Sequence, residues 1–254
     1  MNTLIHLPYS PWSERARWAL DARQLPHQRK VYLPLVGELA LKSQIGWAQK
    51  ASVPVLLTDS GPLSDGLSIA HFAEERGSGA TLFPAGREAD VAMWYARGNT
   101  GLDAARGLAL PRMLRNPEAL LEMIPKGLRP AAPFGAVALS RFGVARTIRK
   151  YNALAGEAQY MSDLREVLSQ LRNTLRATQG QAGEGPATLL GTFSFADIAA
   201  AQVLVAVGPH NGPYLRIGHA SKRCWTIPEF AEEYGDLLTW RDALYARYRG
   251  APGL

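Results

Sequence analysis

The stretch Tyr9-Ser10-Pro11-Trp12-Ser13-Glu14-Arg15-Ala16-Arg17 decides how the rest of the chain is read. A short apolar run, Thr3 to Leu7, precedes it and reads as a strand. At Ser10-Pro11-Trp12-Ser13 an amphipathic helix should begin, running to about Arg23. Trp12, Ala16, Ala19 and Leu20 fall at i, i+4, i+7 and i+8, on one helix face. Two hydroxyls, Ser10 and Ser13, thus stand where a strand ends and a helix begins. Backbone N–H groups without intrahelical acceptors lie there, at the positive end of the helix dipole. Such a place favours an anion, including a thiolate. It is equally a place for an ordinary cap at Ser13 and a turn at Ser10.

Outward from this loop, strand and helix alternate for about 80 residues. Gln28–Leu33 reads as a second strand, and Gly37 to Ala51 is weakly helical and ambiguous. Pro54–Thr58 is a third strand, and Asp59-Ser60-Gly61 turns into a short fourth at Pro62–Leu63. Leu67, Ile69, Ala70, Phe72 and Ala73 make the buried side of a helix ending at Gly77. A strand–helix–strand unit joined to a hairpin implies a mixed sheet with helices on its faces. Pro84-Ala85-Gly86 reads as a linker, and from Arg87 the pattern is helical throughout. Pro111 is expected to end a long helix. A proline- and glycine-rich interruption spans Pro125 to Pro133, and Phe134–Tyr151 resumes as helix. Tyr160, Leu164, Val167, Leu168, Leu171 and Leu175 form an apolar stripe. A last helix is expected from about Glu229 to Arg249. The fold class is therefore α/β plus all-α, with domains at 1–80 and 87–254.

At 254 residues, 47% apolar and 20% charged, the chain has room for one large domain or two modest ones. The start lacks a charged segment followed by a long apolar run, so no secretory signal is expected. The most apolar stretch, Ile198 to Gly208, is too short to span a bilayer. The single cysteine, Cys224, excludes an internal disulfide and suits a reducing cytoplasm. Net charge is +6, and Arg112 to Lys150 alone carries eight Lys/Arg against Glu118 and Glu122. These cations are spaced as on solvated helix faces, without aromatic interleaving. A solvated face or attraction of a small anion is favoured over nucleic-acid binding. His6, His27, His71, His210 and His219 show no metal-ligand spacing, so no metal site is expected. His6, within the first strand, reads as a packed residue.

Two further motifs are candidates for chemistry, and a third is structural. Ser52-Val53-Pro54 opens a strand with a residue that cannot donate to a ladder. A cis bond there would turn the Val53 backbone outward toward an extended ligand, and an ordinary trans proline at a strand edge is the alternative. Ser64-Asp65-Gly66 precedes a helix. Asp65 is either its cap or a partner for a ligand amine, and the Gly66 N–H is open to a carboxylate. Ser194-Phe195-Ala196-Asp197 has the capping-box arrangement and reads as structural.

The order and spacing of these motifs resemble the cytosolic glutathione transferase family over the whole chain. The stretch from Tyr9 to Arg17 is similar to that family's serine- and cysteine-type first-helix signature. The resemblance implies a thioredoxin-like domain over 1–80 that binds glutathione as co-substrate. It places the catalytic hydroxyl on Ser10, the cis-proline contact on Val53 and Pro54, and the acid–serine motif on Asp65 and Gly66. Ser13 falls where thioredoxin relatives carry a second cysteine and, with Val53, Pro54, Asp65 and Gly66, is expected among the glutathione-binding residues. The helical domain at 87–254 would contribute a pocket for a small hydrophobic electrophile, with Trp94, Tyr95, Met113 and Phe142 as candidate walls. A cytoplasmic homodimer is implied, and no metal. Three residues depart from the pattern: Gly66 for Ser, Asp65 for Glu and Ser52 for Lys. These departures keep a non-catalytic ligand- or protein-binding reading open. Thiol–disulfide chemistry is disfavoured, because neither Ser10 nor Ser13 is a cysteine. Within the loop, Ser10 is expected to donate to the glutathione sulfur and Ser13 to cap the helix. Tyr9 is the alternative donor.

Overall fold

The computed structural model describes residues 1–34, 36–124, 133–151, 156–180 and 185–250. Four strands form one sheet in the order β2-β1-β3-β4, with β1 Thr3–His6, β2 Gln28–Val31, β3 Val55–Thr58 and β4 Gly61–Leu63. β1 runs parallel to β2, pairing Thr3 with Gln28, and antiparallel to β3, pairing Thr3 with Leu57. The β3–β4 hairpin is antiparallel. This is the mixed sheet that the motif order predicts.

Period-two alternation sends neighbouring side chains to opposite faces of the sheet. Leu4 and Leu56 pack with Ala16 and Leu20 of α1 (Pro11–Ala22) and with Ile69 and Ala73 of α3 (Gly66–Arg76). Ile5 and Val55 face the other way, onto Leu41 and Ile45 of α2 (Glu38–Ile45). The ambiguous segment is therefore a short helix, closed by Gly46 at a φ of 100°, where a side chain would be strained.

The second half is helical: α4 Glu88–Leu114, α5 Pro117–Glu122, α6 Pro133–Lys150, α7 Glu157–Ala177, α8 Phe195–Ala201, α9 His219–Trp225, α10 Pro228–Glu233 and α11 Gly235–Tyr248. A 3₁₀ turn over Gln202–Val205 follows α8. The large core joins both halves. Trp18 and Ala19 of α1 pack with Leu102 and Ala105 of α4, Leu168 of α7, and Phe195 and Ile198 of α8. The capping box of α8 forms, with Asp197 accepting from the Ser194 N–H at 2.9 Å.

Two helix boundaries differ from the sequence expectation. Pro111 does not end α4, which runs on to Leu114. Pro111 forfeits the ladder bond to the Gly107 carbonyl, and the helix continues only to Leu114 beyond it. The predicted last helix is two, broken at Tyr234, whose φ of −119° leaves the helical range. The interruption from Pro125 to Pro133 falls almost wholly outside the described residues.

Candidate functional site

The loop between β1 and α1 is held from below by buried charge. Glu14 is fully buried and pairs with Arg17 at 2.7 Å and with Arg249 at 2.7 Å. Arg249 also reaches Asp21 at 2.7 Å, which ties the end of the described chain to α1. Arg17 donates to the Leu7 carbonyl at 3.0 Å and to the Tyr214 carbonyl at 2.8 Å. It also meets His6 Nδ1 at 2.8 Å, so His6 is the packed residue the sequence suggests. Burial, and then Arg17, lower the His6 imidazole to about 4. The apolar stripe of α1 foretold none of this. α1 lies between the sheet and the helical core, so its charged positions are covered as well as its apolar ones.

Within the loop, the cap falls on the hydroxyl that was not expected to supply it. Ser10, not Ser13, is the N-cap of α1, and its Oγ accepts from the Ser13 N–H at 3.3 Å. Ser13 Oγ accepts instead from the Leu7 N–H at 3.1 Å and closes the loop. Proline at the first helical position makes Ser10 the natural cap, because capping acts from the residue just before the helix. Ser10 is 9% exposed, and its O–H has no acceptor among the described residues. Capping uses a lone pair of the hydroxyl and leaves its proton to donate. Arg15, in the first helical turns, adds a buried positive charge. It donates only to neutral groups, Asn99 Oδ1 at 2.6 Å and the Ala199 carbonyl at 2.8 Å. Tyr9 is half-buried, and burial pushes its phenol up to about 12.

The Val53–Pro54 peptide is cis and leads into β3. Asp65 is the N-cap of α3, and it is saturated. Its carboxylate accepts from the Leu67 N–H at 2.9 Å, the Ser68 N–H at 3.1 Å, the Ser68 hydroxyl, and the Tyr95 hydroxyl at 2.9 Å. Burial opposes its ionisation, but these bonds outweigh burial and hold it below the usual carboxylate range. Two carboxylate oxygens offer about four acceptor positions, so the cap leaves none for a ligand amine. The Gly66 N–H has no acceptor among the described residues. A Cβ on Gly66 would lie 3.3 Å from the Tyr95 hydroxyl. Tyr95 therefore crowds the place a serine side chain would take.

Of the candidate walls, Trp94 and Met113 are buried in the helical cores at 2% and 6% exposure and present no surface. Tyr95 stands at Asp65, and Phe142 is exposed beside an open cleft. The sequence missed the residues that do flank the loop. Arg106 lies 4.7 Å from the centre of the Trp12 ring and 3.9 Å from that of Tyr151. Tyr151 Oη meets Ser52 Oγ at 2.6 Å. No spacing rule joins positions this far apart in the chain. A separate cleft of about 620 Å³ between α7 and α11 shares no residue with these motifs. Among the described residues, no cluster of His, Cys, Asp or Glu could hold a metal, and no helix is long and apolar enough to cross a membrane.

Residues 9–76 match the model of the glutathione S-transferase N-terminal domain. No curated protein matches the chain significantly. A glutathione S-transferase from Methylobacillus flagellatus, solved with glutathione bound, superposes with a TM-score of 0.59 at 17% identity, covering 97% of this chain and 96% of that one. A glutathione transferase family member from Pseudomonas fluorescens, also with bound glutathione, gives 0.57 at 18% identity over the whole of both chains. One from Methylobacterium radiotolerans, in complex with glutathione sulfonate, gives 0.58 at 17% identity, covering 97% and 91%. The fold is that of the glutathione transferases. It comprises a thioredoxin-like four-stranded region followed by helices.

Proposed function

We propose that this protein is a glutathione transferase-like enzyme that activates the thiol of glutathione for attack on an electrophile. The observation that carries the proposal is the uncommitted O–H of Ser10, the cap at the positive end of a 12-residue helix. Residues 1–80 form the glutathione-binding domain in this reading, and 87–254 supply the electrophile side. The Val53 backbone, beside Pro54, pairs with the peptide, and the Gly66 N–H receives a carboxylate. Asp65, its acceptor positions filled, attracts an amine only through its charge. Ser13 holds the loop and does not touch the ligand.

The energetics suffice without a metal or a general base. A free thiol titrates near 8.5, so lowering it by about two units needs roughly 2.7 kcal/mol of preference for the anion. A charge-assisted hydrogen bond contributes about 1.5–3 kcal/mol, and a helix dipole about 0.3–1. The thiolate of bound glutathione then attacks the electrophile. A cytoplasmic homodimer accompanies this reading.

The saturation of Asp65 and the crowding at Gly66 favour a second reading, a non-catalytic ligand-binding protein with the same fold. Calorimetric titration with glutathione and a conjugation assay with 1-chloro-2,4-dinitrobenzene separate the two. The proposed enzyme binds glutathione saturably and turns over, and Ser10→Ala lowers kcat/KM by at least about tenfold. Saturable binding of apolar ligands without turnover would support the second reading instead.

A further inference from the structure

A concentration of unpaired positive charge lies in an open cleft of about 470 Å³ between α2 and α6. Glu38, Lys42, Lys50, Arg146, Arg149 and Lys150 line it. Its one acid is already engaged, because Glu38 pairs with Arg146 at 2.8 Å. Lys42, Lys50, Arg149 and Lys150 have no carboxylate partner among the described residues. The Lys150 ammonium rests on the Ala51 carbonyl, and Lys50 stands 4.2 Å from the centre of the Tyr151 ring. Burial, together with Arg146, Lys50 and Lys42, holds Lys150 below the usual lysine range. Like charges gathered against a low-dielectric wall raise each other's energy and focus a positive field. A solvated face would spread these charges, whereas here two elements distant in sequence bring them to one concavity.

The cleft adjoins the proposed thiol site. Ala51 in its lining leads directly to Ser52, Val53 and Pro54. From the other side, Trp12, Arg106, Tyr151 and Lys50 form a continuous run of contacts from the Ser10 loop to the cleft. Its volume falls in the range of about 300–1,000 Å³ that suits a small molecule. One carboxylate would leave most of the four unpaired cations without a partner, so a match requires at least two negative charges.

We propose that the α2–α6 cleft binds a small multiply charged anion through carboxylate or phosphate oxygens, and that the electrophile of this protein is such an acid. The second half rests on the glutathione-enzyme reading, and the first does not. A C=C acceptor illustrates the step: the sulfur forms a C–S bond, the π pair moves to the adjacent carbon, and a solvent proton gives the thioether with no leaving group.

Calorimetric titration of the full-length protein with citrate and with inorganic tripolyphosphate tests the first half. Saturable binding is expected, weakened at least about tenfold by Lys42→Glu/Arg149→Glu and also weakened by added salt in the unmutated protein. Citrate alone would identify carboxylate recognition and tripolyphosphate alone phosphate recognition. Failure of both to bind, or binding insensitive to the charge reversal and to salt, overturns the proposal. For the second half, the glutathione addition rates of maleate and diethyl maleate are each divided by the uncatalysed rate. The enzyme is expected to favour the dianion, and the double variant to lower the maleate-to-diester ratio by at least about tenfold. An unchanged ratio refutes an acidic electrophile. If neither acceptor reacts, the acidic-electrophile half fails, the dinitrobenzene assay still decides the glutathione-enzyme reading, and the anion titrations still decide the cleft.

Discussion

The N-termini of α1 and α3 face the same problem and solve it differently. Both expose unpaired backbone N–H groups, and both are capped by a short polar side chain. At α3 the cap is an exposed carboxylate with four donors upon it. At α1 the cap is a nearly buried hydroxyl with its proton to spare, and the rigidity comes from beneath, from Glu14, Arg17 and Arg249. A cap that satisfies itself holds a helix start in place. A cap held by its surroundings keeps a group available for a ligand.

This contrast predicts unequal stability costs. Glu14→Gln removes the counter-charge of two buried guanidinium groups and is expected to cost about 3–5 kcal/mol. Asp65→Ala removes an exposed cap and should cost only about 1 kcal/mol. Denaturant titrations of the two variants measure the difference, and equal costs would mean that the network under α1 is not what fixes the loop.

A smaller effect follows from His6. Its folded-state value of about 4 lies below the ordinary 6.5. The unfolded chain therefore binds the proton more readily between those values. The stability contribution is complete above about pH 6.5 and is lost as pH falls through about 4, amounting to roughly 3 kcal/mol. His6→Asn keeps an acceptor for Arg17 but cannot titrate. Its stability profile from pH 7 to 4 should be flatter than that of the parent, and an identical slope would remove His6 from the account.

The mixed sheet and the cap position at Asp65 were legible from the sequence because short-range rules govern them. A short apolar run placed β1, a proline opening a strand placed β3, and Ser194 with Asp197 announced a capping box. The cap of α1 was misassigned to Ser13, because the choice of cap depends on where the first turn begins. The burial of Glu14, Arg15 and Arg17 was invisible. Helical periodicity reports one covered face, whereas α1 has two, and the second is covered by residues as distant as Ala199 and Arg249. The same distance hid the run from Trp12 through Arg106 to Tyr151. Tyr95 explains Gly66 only once α4 is seen against α3.

The central claim, that Ser10 stabilises a thiolate while Ser13 only closes the loop, is tested most directly by the ultraviolet thiolate absorbance of bound glutathione as a function of pH. The account predicts a thiol pKa about two units below the free value in the parent and in Ser13→Ala, provided that variant remains folded, and a return to near 8.5 in Ser10→Ala. An unshifted pKa in Ser10→Ala relative to the parent would contradict it.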